Sequence, residues 1–304
     1  MKKLFCLSLI IMLVSCKENK SEKNIAEAFE EKEIKTDLYG SYVGDFIVLE
    51  RDTTRTQKEN YTNKINIIIK KITESKVIGQ NVVAGNNRPL TGKMTITGNT
   101  VHFILKEPGD DKNDGVFDFE IKNDTLLVGT WTANSSKKEV TKRKFELIRK
   151  EFKYDPDLML SEGEMYIDYV NPKKQKIAIE IEDEENEEGN TEENTDGKGE
   201  YTEDTYRIAS PAVYTLNSST QKLKESDVKN LKKIDLEILR NTIFARHGLT
   251  FKTKTVRQFF DRVNWYIPIS SDVNDKLTLT EKQNVVLLKR FEKYAEDNYD
   301  TFGR

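Results

Sequence analysis

Arg246 and His247 are neighbouring residues whose side chains could take part in catalysis. An imidazole can serve as a general base near neutral pH, and with Asp261 as an acidic partner the group would suit a hydrolase. However, no second histidine or cysteine recurs near His247 at catalytic spacing, and no nucleophile motif, metal triad or Gly-rich loop accompanies it. The sequence therefore favours a structural role for the pair, and we do not expect the chain to be an enzyme.

The structural interpretation gives each of the two side chains a specific partner. Arg246 would bury its aliphatic stem and either pair with a carboxylate such as Asp261 or lie on the face of Trp265. His247 would meet the free carbonyl groups at the end of a helix. His102, the other histidine of the chain, falls in a predicted strand of a different domain.

An acidic run contains oxygen ligands at the spacing of an EF-hand calcium loop. Positions 1, 3, 5, 6, 9 and 12 of such a loop would be filled by Glu192, Asn194, Asp196, Gly197, Glu200 and Glu203. Against this, the first ligand is Glu rather than Asp, and no helix is predicted on either side. The alternative is a disordered acidic loop over residues 180–204, where 13 Asp and Glu stand against one Lys. Apart from Ca²⁺, no cofactor is predicted.

A helix must position the Arg-His pair. Asp235 is predicted as its N-cap, and His247 lies in its last turn. Gly248 can adopt the left-handed conformation that ends a helix. The helix carries an apolar stripe at helical spacing, formed by Leu236, Leu239, Ile243 and Phe244. Two further helices are predicted, one over residues 255–262 and one from Thr280, where Thr280 and Gln283 fit a capping box.

The segment from Leu223 to Tyr294 resembles the YARHG domain, a module of the bacterial cell envelope. The motif is Phe244-Ala245-Arg246-His247-Gly248, in which Phe replaces Tyr. The resemblance extends to Arg240-Asn241, Phe251, Phe259-Phe260, Trp265-Tyr266 and the run Leu279-Thr280-Glu281…Asn284. It implies a small helical domain over residues 217–304 whose motif, with Trp265 and Tyr266, has a structural or binding role. The ligand would be a glycan, a peptide or a neighbouring envelope protein.

Residues 37–150 are predicted to form an up-and-down antiparallel β-barrel, so the fold class is α+β with two modules. Eight short strands alternate apolar and polar residues and are joined by short turns such as Gly98-Asn99, Asp114-Gly115 and Asn123-Asp124. The predicted strands are 39–50, 65–72, 76–84, 90–97, 100–106, 116–121, 125–132 and 144–148.

The barrel region loosely resembles lipocalin-like and avidin-like small barrels. The resemblance is carried by Gly40-Ser41-Tyr42-Val43-Gly44 and by Gly129-Thr130-Trp131. An eight-stranded barrel is just wide enough to fill itself or to hold one small ligand. Trp131 is therefore either a wall of a ligand pocket or a plug of the barrel floor.

The first residues resemble a bacterial lipoprotein signal peptide. Lys2 and Lys3 precede an apolar stretch over 4–14 that is too short to span a bilayer. Leu13-Val14-Ser15-Cys16 fits a lipobox, which implies removal of residues 1–15 and acylation of Cys16, for instance with palmitate. Residues 16–36 would be a tether, and Cys16-Lys17-Glu18 resembles signals that send Bacteroidota lipoproteins to the cell surface.

The cysteine content and the net charge argue against several kinds of site and partner. Cys6 would leave with the signal peptide, so after acylation of Cys16 no free thiol remains for a disulfide, a metal site or a nucleophile. The net charge of −3 argues against a nucleic-acid partner. Residues 151–216 are predicted as a connector that contains a β-hairpin turning at Asn171-Pro172, followed by the acidic loop.

Three functions follow, in order of preference. The first is a lipid-anchored lipoprotein of the cell envelope, expected at the outer membrane, with a binding or structural role. The second is a carrier that holds a small apolar molecule beside Trp131. The third is the hydrolase built on Arg246, His247 and Asp261.

Overall fold

A computed structural model of the chain describes residues 31–55, 62–98, 100–180 and 198–298. It divides into one unit over Met1–Glu31 and a second over Lys32–Arg304, and the description below concerns the second. The predicted signal peptide and Cys16 lie outside the described residues. So do Glu192, Asn194, Asp196 and Gly197 of the predicted calcium loop.

Eight antiparallel strands form a closed barrel in which each strand pairs with the next and β1 also pairs with β8. All eight predicted strands and their up-and-down order are confirmed. The strands are β1 (Gly40–Arg51), β2 (Asn63–Ile72), β3 (Val77–Val83), β4 (Asn86–Thr97), β5 (Thr100–Lys106), β6 (Gly115–Lys122), β7 (Leu126–Ala133) and β8 (Val140–Lys150). A 3₁₀ turn, Thr36–Leu38, precedes β1.

The sequence pattern explains the barrel directly. Alternate residues of each strand point inward, so the apolar positions meet in one interior. Asn123 and Asp124 both have positive φ, 50° and 57°, and form the turn in the three-residue loop between β6 and β7, where the N–H of Thr125 donates to the carbonyl of Lys122 at 3.3 Å. The interior is lined by buried side chains that include Tyr42, Phe46, Ile65, Ile67, Phe103, Leu105, Phe117, Phe119 and Phe145.

A separate two-stranded sheet consists of β9 (Ile167–Glu180) and β10 (Lys198–Ile208). The predicted turn at Asn171-Pro172 is wrong, because β9 continues through it. The pairing register shifts there, from Lys173 opposite Thr205 to Asp168 opposite Arg207, so extra residues of β9 bulge around Pro172. A bulge accommodates proline because the residue has no N–H to donate to the ladder.

The prediction of an acidic loop over residues 180–204 is wrong at its two described ends, because Glu180 ends β9 and Lys198 begins β10. Residues 198–204 belong to β10, where Glu200 lies opposite Ala178 and ion-pairs with Lys176 at 3.0 Å. Lysines of β9 thus offset carboxylates of β10 across the ladder. Glu203 is three residues from Glu200 and points to the opposite face of the strand. These two side chains therefore do not converge as the predicted calcium loop requires.

In the part of the chain that the structure describes, five α-helices follow β10: α1 (Ala212–Thr215), α2 (Glu225–Val228), α3 (Lys233–Arg246), α4 (Lys254–Phe260) and α5 (Leu279–Asn298). A 3₁₀ turn, Asn274–Lys276, precedes α5. The apolar stripe of α3 is buried against α4 and α5, which confirms the predicted helical domain. Residues before α1 add Leu160 and Tyr166 to the same core, so the connector packs as part of this domain.

Two predicted helix caps are displaced by two or three residues. The residue that caps α3 is Lys232, and Asp235 lies in the first turn, where its carboxylate accepts the backbone N–H of Lys232 at 3.0 Å and that of Ser210 at 2.7 Å. The capping box of α5 joins Thr278 to Glu281 rather than Thr280 to Gln283. In both places a tertiary contact of the acid selects the turn.

The helical domain is docked on the outside of the barrel through polar contacts from β2 and the β3–β4 turn. Lys64 Nζ donates to the carbonyl of Val263 at 2.5 Å, and Asn66 Nδ2 donates to that of Pro268 at 2.9 Å. The N–H of Gly85 donates to Thr250 Oγ1 at 3.0 Å. Within the described ranges, no helix has the length and apolar character needed to cross a membrane.

Candidate functional site

The C-terminal end of α3 presents the Arg-His pair. Gly248 has φ +75°, its N–H bonds to the carbonyl of Ala245 at 2.9 Å, and the N–H of Leu249 bonds to that of Phe244 at 3.0 Å. These two bonds make a Schellman motif, as the predicted glycine stop requires. Ala245 is buried and Phe244 is partly buried against the helical core. The turn fixes Arg246 and His247 facing the segment that leaves the barrel.

Arg246 is buried and 2% exposed, and its guanidinium donates to neutral acceptors. Nε bonds to the carbonyl of Leu158 at 2.8 Å, and Nη1 bonds to Ser219 Oγ at 2.9 Å. Nη2 lies 3.4 Å from Met159 Sδ. Among the described residues, Arg246 makes neither of the predicted interactions, an ion pair with Asp261 or a cation–π contact with Trp265. Burial lowers the pKa of Arg246 to about 10, against the attraction of Glu281.

His247 pairs with Glu281, where we predicted helix carbonyls as its partners. Nε2 lies 2.9 Å from Glu281 Oε2, and the imidazole stacks on Tyr154 with ring centroids 4.2 Å apart. Tyr154 OH donates to Glu281 Oε1 at 3.1 Å. One carboxylate on α5 thus ties the end of α3 to the segment after β8. We call Tyr154, Ser219, Arg246, His247 and Glu281 the motif network.

The motif network shifts the pKa of its members in opposite directions. Burial would raise the pKa of Glu281, but hydrogen bonds from His247, Ser219 and the backbone N–H of Thr278 outweigh it and lower the pKa to about 2. Burial and the charge of Glu281 raise the pKa of Tyr154 to about 12. The network therefore holds a permanently ionised carboxylate at neutral pH.

Trp265 and Tyr266, the two aromatic residues in the YARHG resemblance, also have structural roles. Trp265 Nε1 donates to the carbonyl of Met159 at 2.8 Å, and Tyr266 OH donates to that of Leu249 at 2.6 Å. Tyr266 is fully buried, and Lys64 Nζ lies 5.6 Å from its ring centroid. Trp265 packs against the core of the helical domain. Because Tyr266 is buried, it offers no surface to a ligand.

The hydrolase group that the sequence suggested is not assembled. Asp261 follows α4 at the barrel side, where it accepts the backbone N–H of Lys64. His247 and Ser219 are both buried, and the hydroxyl of Ser219 is taken by Arg246 and Glu281. A nucleophile activated by a base needs a hydrogen bond between the two and an approach for substrate. The motif network provides neither in the described structure.

The sequence analysis missed Tyr154 and Ser219 as members of this region, and it assigned no role to the side chain of Asn284. Asn284 Nδ2 donates to the carbonyls of Ser218 and Gln221, at 2.8 and 2.7 Å. Its Oδ1 accepts the N–H of Leu223 at 3.1 Å. The sequence signal for Asn284 was the run Leu279-Thr280-Glu281…Asn284. This run resembles the family, but the resemblance did not indicate what Asn284 does. Tyr154 had no sequence signal, because it lies far from the helical domain along the chain.

The barrel interior is occupied by its own side chains at Trp131. This residue is 8% exposed and packs edge-on against Phe46, with centroids 5.8 Å apart. Its Nε1 donates to Glu107 Oε2 at 3.1 Å. Of the two roles predicted for Trp131, the structure favours the filled interior, so a carrier that holds a ligand beside this ring loses its main support.

A cleft of about 930 Å³ lies outside the barrel, between strands β1 and β8 on one side and β9 and α4 on the other. Both sides carry both signs of charge. The barrel side is lined by Asp45, Lys64, Glu146 and Lys150, and the helical side is lined by Lys254, Arg257, Asp261 and Arg262. The sequence did not predict it, because its walls come from five segments that are distant along the chain, including the start of β2. Around Asp261, burial raises the carboxyl pKa to about 7, and burial lowers the pKa of Lys64 to about 8.

Within the described residues, no group of three or more His, Cys, Asp and Glu side chains could hold a metal ion. The predicted calcium ligands Glu200 and Glu203 lie in β10, and the others lie outside the described residues.

Comparison with known proteins identifies one family. The model of the YARHG domain matches residues 212–293, which begin at α1 and include the motif network except Tyr154. No curated protein and no solved structure gives a significant match. The match agrees with the resemblance carried by the motif residues and with the helical domain seen in the structure. The C-terminal part of this chain is therefore a YARHG domain, carried behind a closed eight-stranded β-barrel.

Proposed function

We propose that the protein is a lipid-anchored binding protein of the bacterial cell envelope, held at the outer membrane through Cys16. The lipobox Leu13-Val14-Ser15-Cys16 supports the anchor, and the YARHG resemblance supports an envelope location. An acyl chain contributes about 0.8 kcal/mol per buried CH₂, which suffices to tether a polar body when two or more chains are attached.

The observation that favours a structural role of the motif, rather than catalysis, is its internal use. Arg246 and His247 are 2% and 4% exposed, and each donor described above is bonded within the protein. A reactive site needs groups that reach a substrate. The YARHG domain thus acts as a rigid platform on the barrel, and the binding partner is an envelope glycan, peptide or protein.

Metabolic labelling with radioactive palmitate tests the anchor. The wild-type chain should incorporate label and fractionate with membranes, because acylated Cys16 is its N-terminus. The Cys16→Ala variant should incorporate none, whereas the matched Cys6→Ala variant should label like the wild type because Cys6 precedes the lipobox. Unlabelled wild-type protein, or label that persists in Cys16→Ala, would contradict the proposal.

A further inference from the structure

One long side of α5 faces solvent and carries four cations. They lie at positions i, i+7, i+8 and i+11, a spacing that places them on one side of a helix over roughly 17 Å. All four are exposed, whereas Leu288 and Ala295 on the opposite side are buried in the helical core. We call these four cations the basic face: Lys282, Lys289, Arg290 and Lys293.

The described carboxylates of α5 do not balance the basic face. Glu281 is buried and pairs with His247. Glu292 is partly buried and pairs with Arg240 on α3. Among the side chains that the structure describes, the three lysines of the basic face make no ion pair within 4.0 Å. Their charges are therefore open to a partner outside the protein.

The segment before α2 lies beside the basic face and adds two lysines to it. The N–H of Leu223 donates to Asn284 Oδ1 on α5 at 3.1 Å, and the side chain of Leu223 is buried. Lys222 and Lys224, on either side of Leu223, are exposed. The short connection to Asn284 holds both lysines next to α5.

Two carboxylates belong to the same surface. Glu225 on α2 ion-pairs with Arg290, and Asp227 accepts the backbone N–H of Lys224 at 2.8 Å. Six cations therefore stand against two carboxylates here, although the whole chain has a net charge of −3. The local excess of positive charge attracts an anionic surface rather than a neutral one.

Two exposed aliphatic side chains accompany the cations. Leu279 and Val286 are 74% and 70% exposed. Val286 lies four residues after Lys282 and three before Lys289, so it is within the basic face, and Leu279 lies one turn before Lys282. Aliphatic groups between lysines are typical of a helix that lies on a membrane surface, where lysines reach the phosphates and the apolar groups enter the headgroup layer.

We propose that the basic face lies against the anionic phospholipid headgroups of the membrane, with Val286 and Leu279 in the headgroup layer. The acyl anchor at Cys16 keeps the protein at that surface, and in this respect the inference rests on the function proposed above. Each cation near an anionic surface strengthens binding about fivefold. Several such attractions along one helix would give the anchored protein a fixed orientation on the membrane.

Two other partners fit the basic face less well. Protein interfaces are enriched in arginine and aromatic residues and depleted of lysine, whereas five of the six cations here are lysines. A free phosphate ion needs donors that converge on one point, and these cations are spread along the helix. A flat surface that carries many phosphates uses the whole face.

A polarity-sensitive fluorophore at position 286 tests the proposal in the full-length chain. Labelled Val286→Cys is reconstituted into vesicles of phosphatidylcholine and into vesicles of equimolar phosphatidylcholine and phosphatidylglycerol. Emission should move to shorter wavelength in the anionic vesicles, because the label enters the less polar headgroup layer. The matched control Ile104→Cys, an exposed aliphatic position on β5 between Lys93 and Asp118, should emit alike in both.

Charge variants show whether the cations hold this face on the membrane. The double variant Lys289→Gln/Lys293→Gln should lose the shift at position 286, and the matched Lys106→Gln/Lys122→Gln on the barrel should keep it. Equal emission at position 286 in both vesicle types, an equal shift at position 104, or a shift that persists in Lys289→Gln/Lys293→Gln would overturn the proposal. A shift caused by inorganic phosphate without lipid would overturn it in favour of a free-anion site.

Flotation of the same samples separates this inference from the anchor. A chain that does not float with phosphatidylcholine vesicles contradicts the anchor at Cys16 and not the basic face. The label is then read after the chain is mixed with preformed vesicles of both types, with the same expected shift. Wild-type chain treated with the fluorophore gives the background from Cys6 and Cys16.

Discussion

The arrangement of the motif depends on the carboxylate of Glu281. It accepts bonds from His247, from Tyr154 and from the N–H of Thr278, and so joins α3, α5 and the segment after β8. Its side chain is fully buried. A buried carboxylate with several donors stabilises the fold only while it is ionised. The name-giving histidine of the YARHG motif is, in this chain, the partner of that carboxylate.

Stability should therefore depend on pH through Glu281. Its pKa is lowered from 4.5 to about 2 in the folded protein, so its contribution is complete above about pH 4.5 and is lost as the pH falls toward 2. Glu281→Gln should lower the free energy of unfolding at pH 7 by about 1.5–3 kcal/mol, since it weakens charge-assisted bonds. Urea unfolding at pH 7 and at pH 3 measures both values.

The difference between Glu281→Gln and wild type should shrink at pH 3 relative to pH 7. The control Glu225→Gln removes an exposed acid that pairs with Arg290, and it should change stability by less than about 1 kcal/mol at either pH. A difference for Glu281→Gln that stays constant with pH would show that the carboxylate charge is not what stabilises the motif.

At the scale of elements, the end of α3 determines where the motif points. A Cβ at Gly248 would lie 2.5 Å from Ile269 Cγ1 and 2.9 Å from the carbonyl oxygen of Ile267. The φ of +75° adds backbone strain for any other residue. Gly248→Ala should thus cost about 2 kcal/mol or more, because strain and close contacts act together.

Thermal unfolding of Gly248→Ala beside Gly163→Ala checks this expectation. Gly163 lacks a positive φ, and a Cβ there would meet only Ser161 Oγ, at 3.7 Å. Alanine at this position should be neutral or slightly stabilising. If the two variants unfold at the same temperature, the turn after α3 does not constrain the motif as described.

Local patterns predicted most elements, and tertiary contacts decided the rest. Alternation in segments such as Val101, Phe103 and Leu105 predicted all eight barrel strands, because inward and outward faces repeat every two residues. The prediction of a turn at Asn171-Pro172 was wrong, because a bulge in β9 opposite β10 accommodates the proline within the strand. Lys198–Asp204 was assigned to a loop because its composition is acidic, whereas pairing with the lysines of β9 makes it a strand.

The candidate sites, too, could be predicted only in part from local patterns. The motif at Arg246 and His247 was visible in the sequence, but its partners Glu281 and Tyr154 lie 34 and 93 residues away from His247, and their contacts depend on the packing of three segments. The cleft was not predictable, because it exists only where α4 docks on β1 and β8. Patterns report which face of an element is apolar and do not report which element lies opposite it.

At the scale of the whole molecule, the central claim is that the barrel and the YARHG domain are one body. Lys64, Asn66 and Gly85 hydrogen-bond from the barrel to the helical domain, and residues of the connector complete its core. The cleft requires this docking, because strands of the barrel and α4 of the helical domain form its walls. Contacts of this kind couple two modules into one unfolding unit.

The two tryptophans make that claim directly measurable, because Trp131 reports on the barrel and Trp265 on the helical domain. The variants Trp131→Phe and Trp265→Phe each keep one reporter. In each variant, urea unfolding followed by fluorescence should coincide with unfolding followed by far-ultraviolet circular dichroism, as a single cooperative transition. Fluorescence midpoints that depart from the circular dichroism midpoint in either variant would show two independent modules and contradict the account.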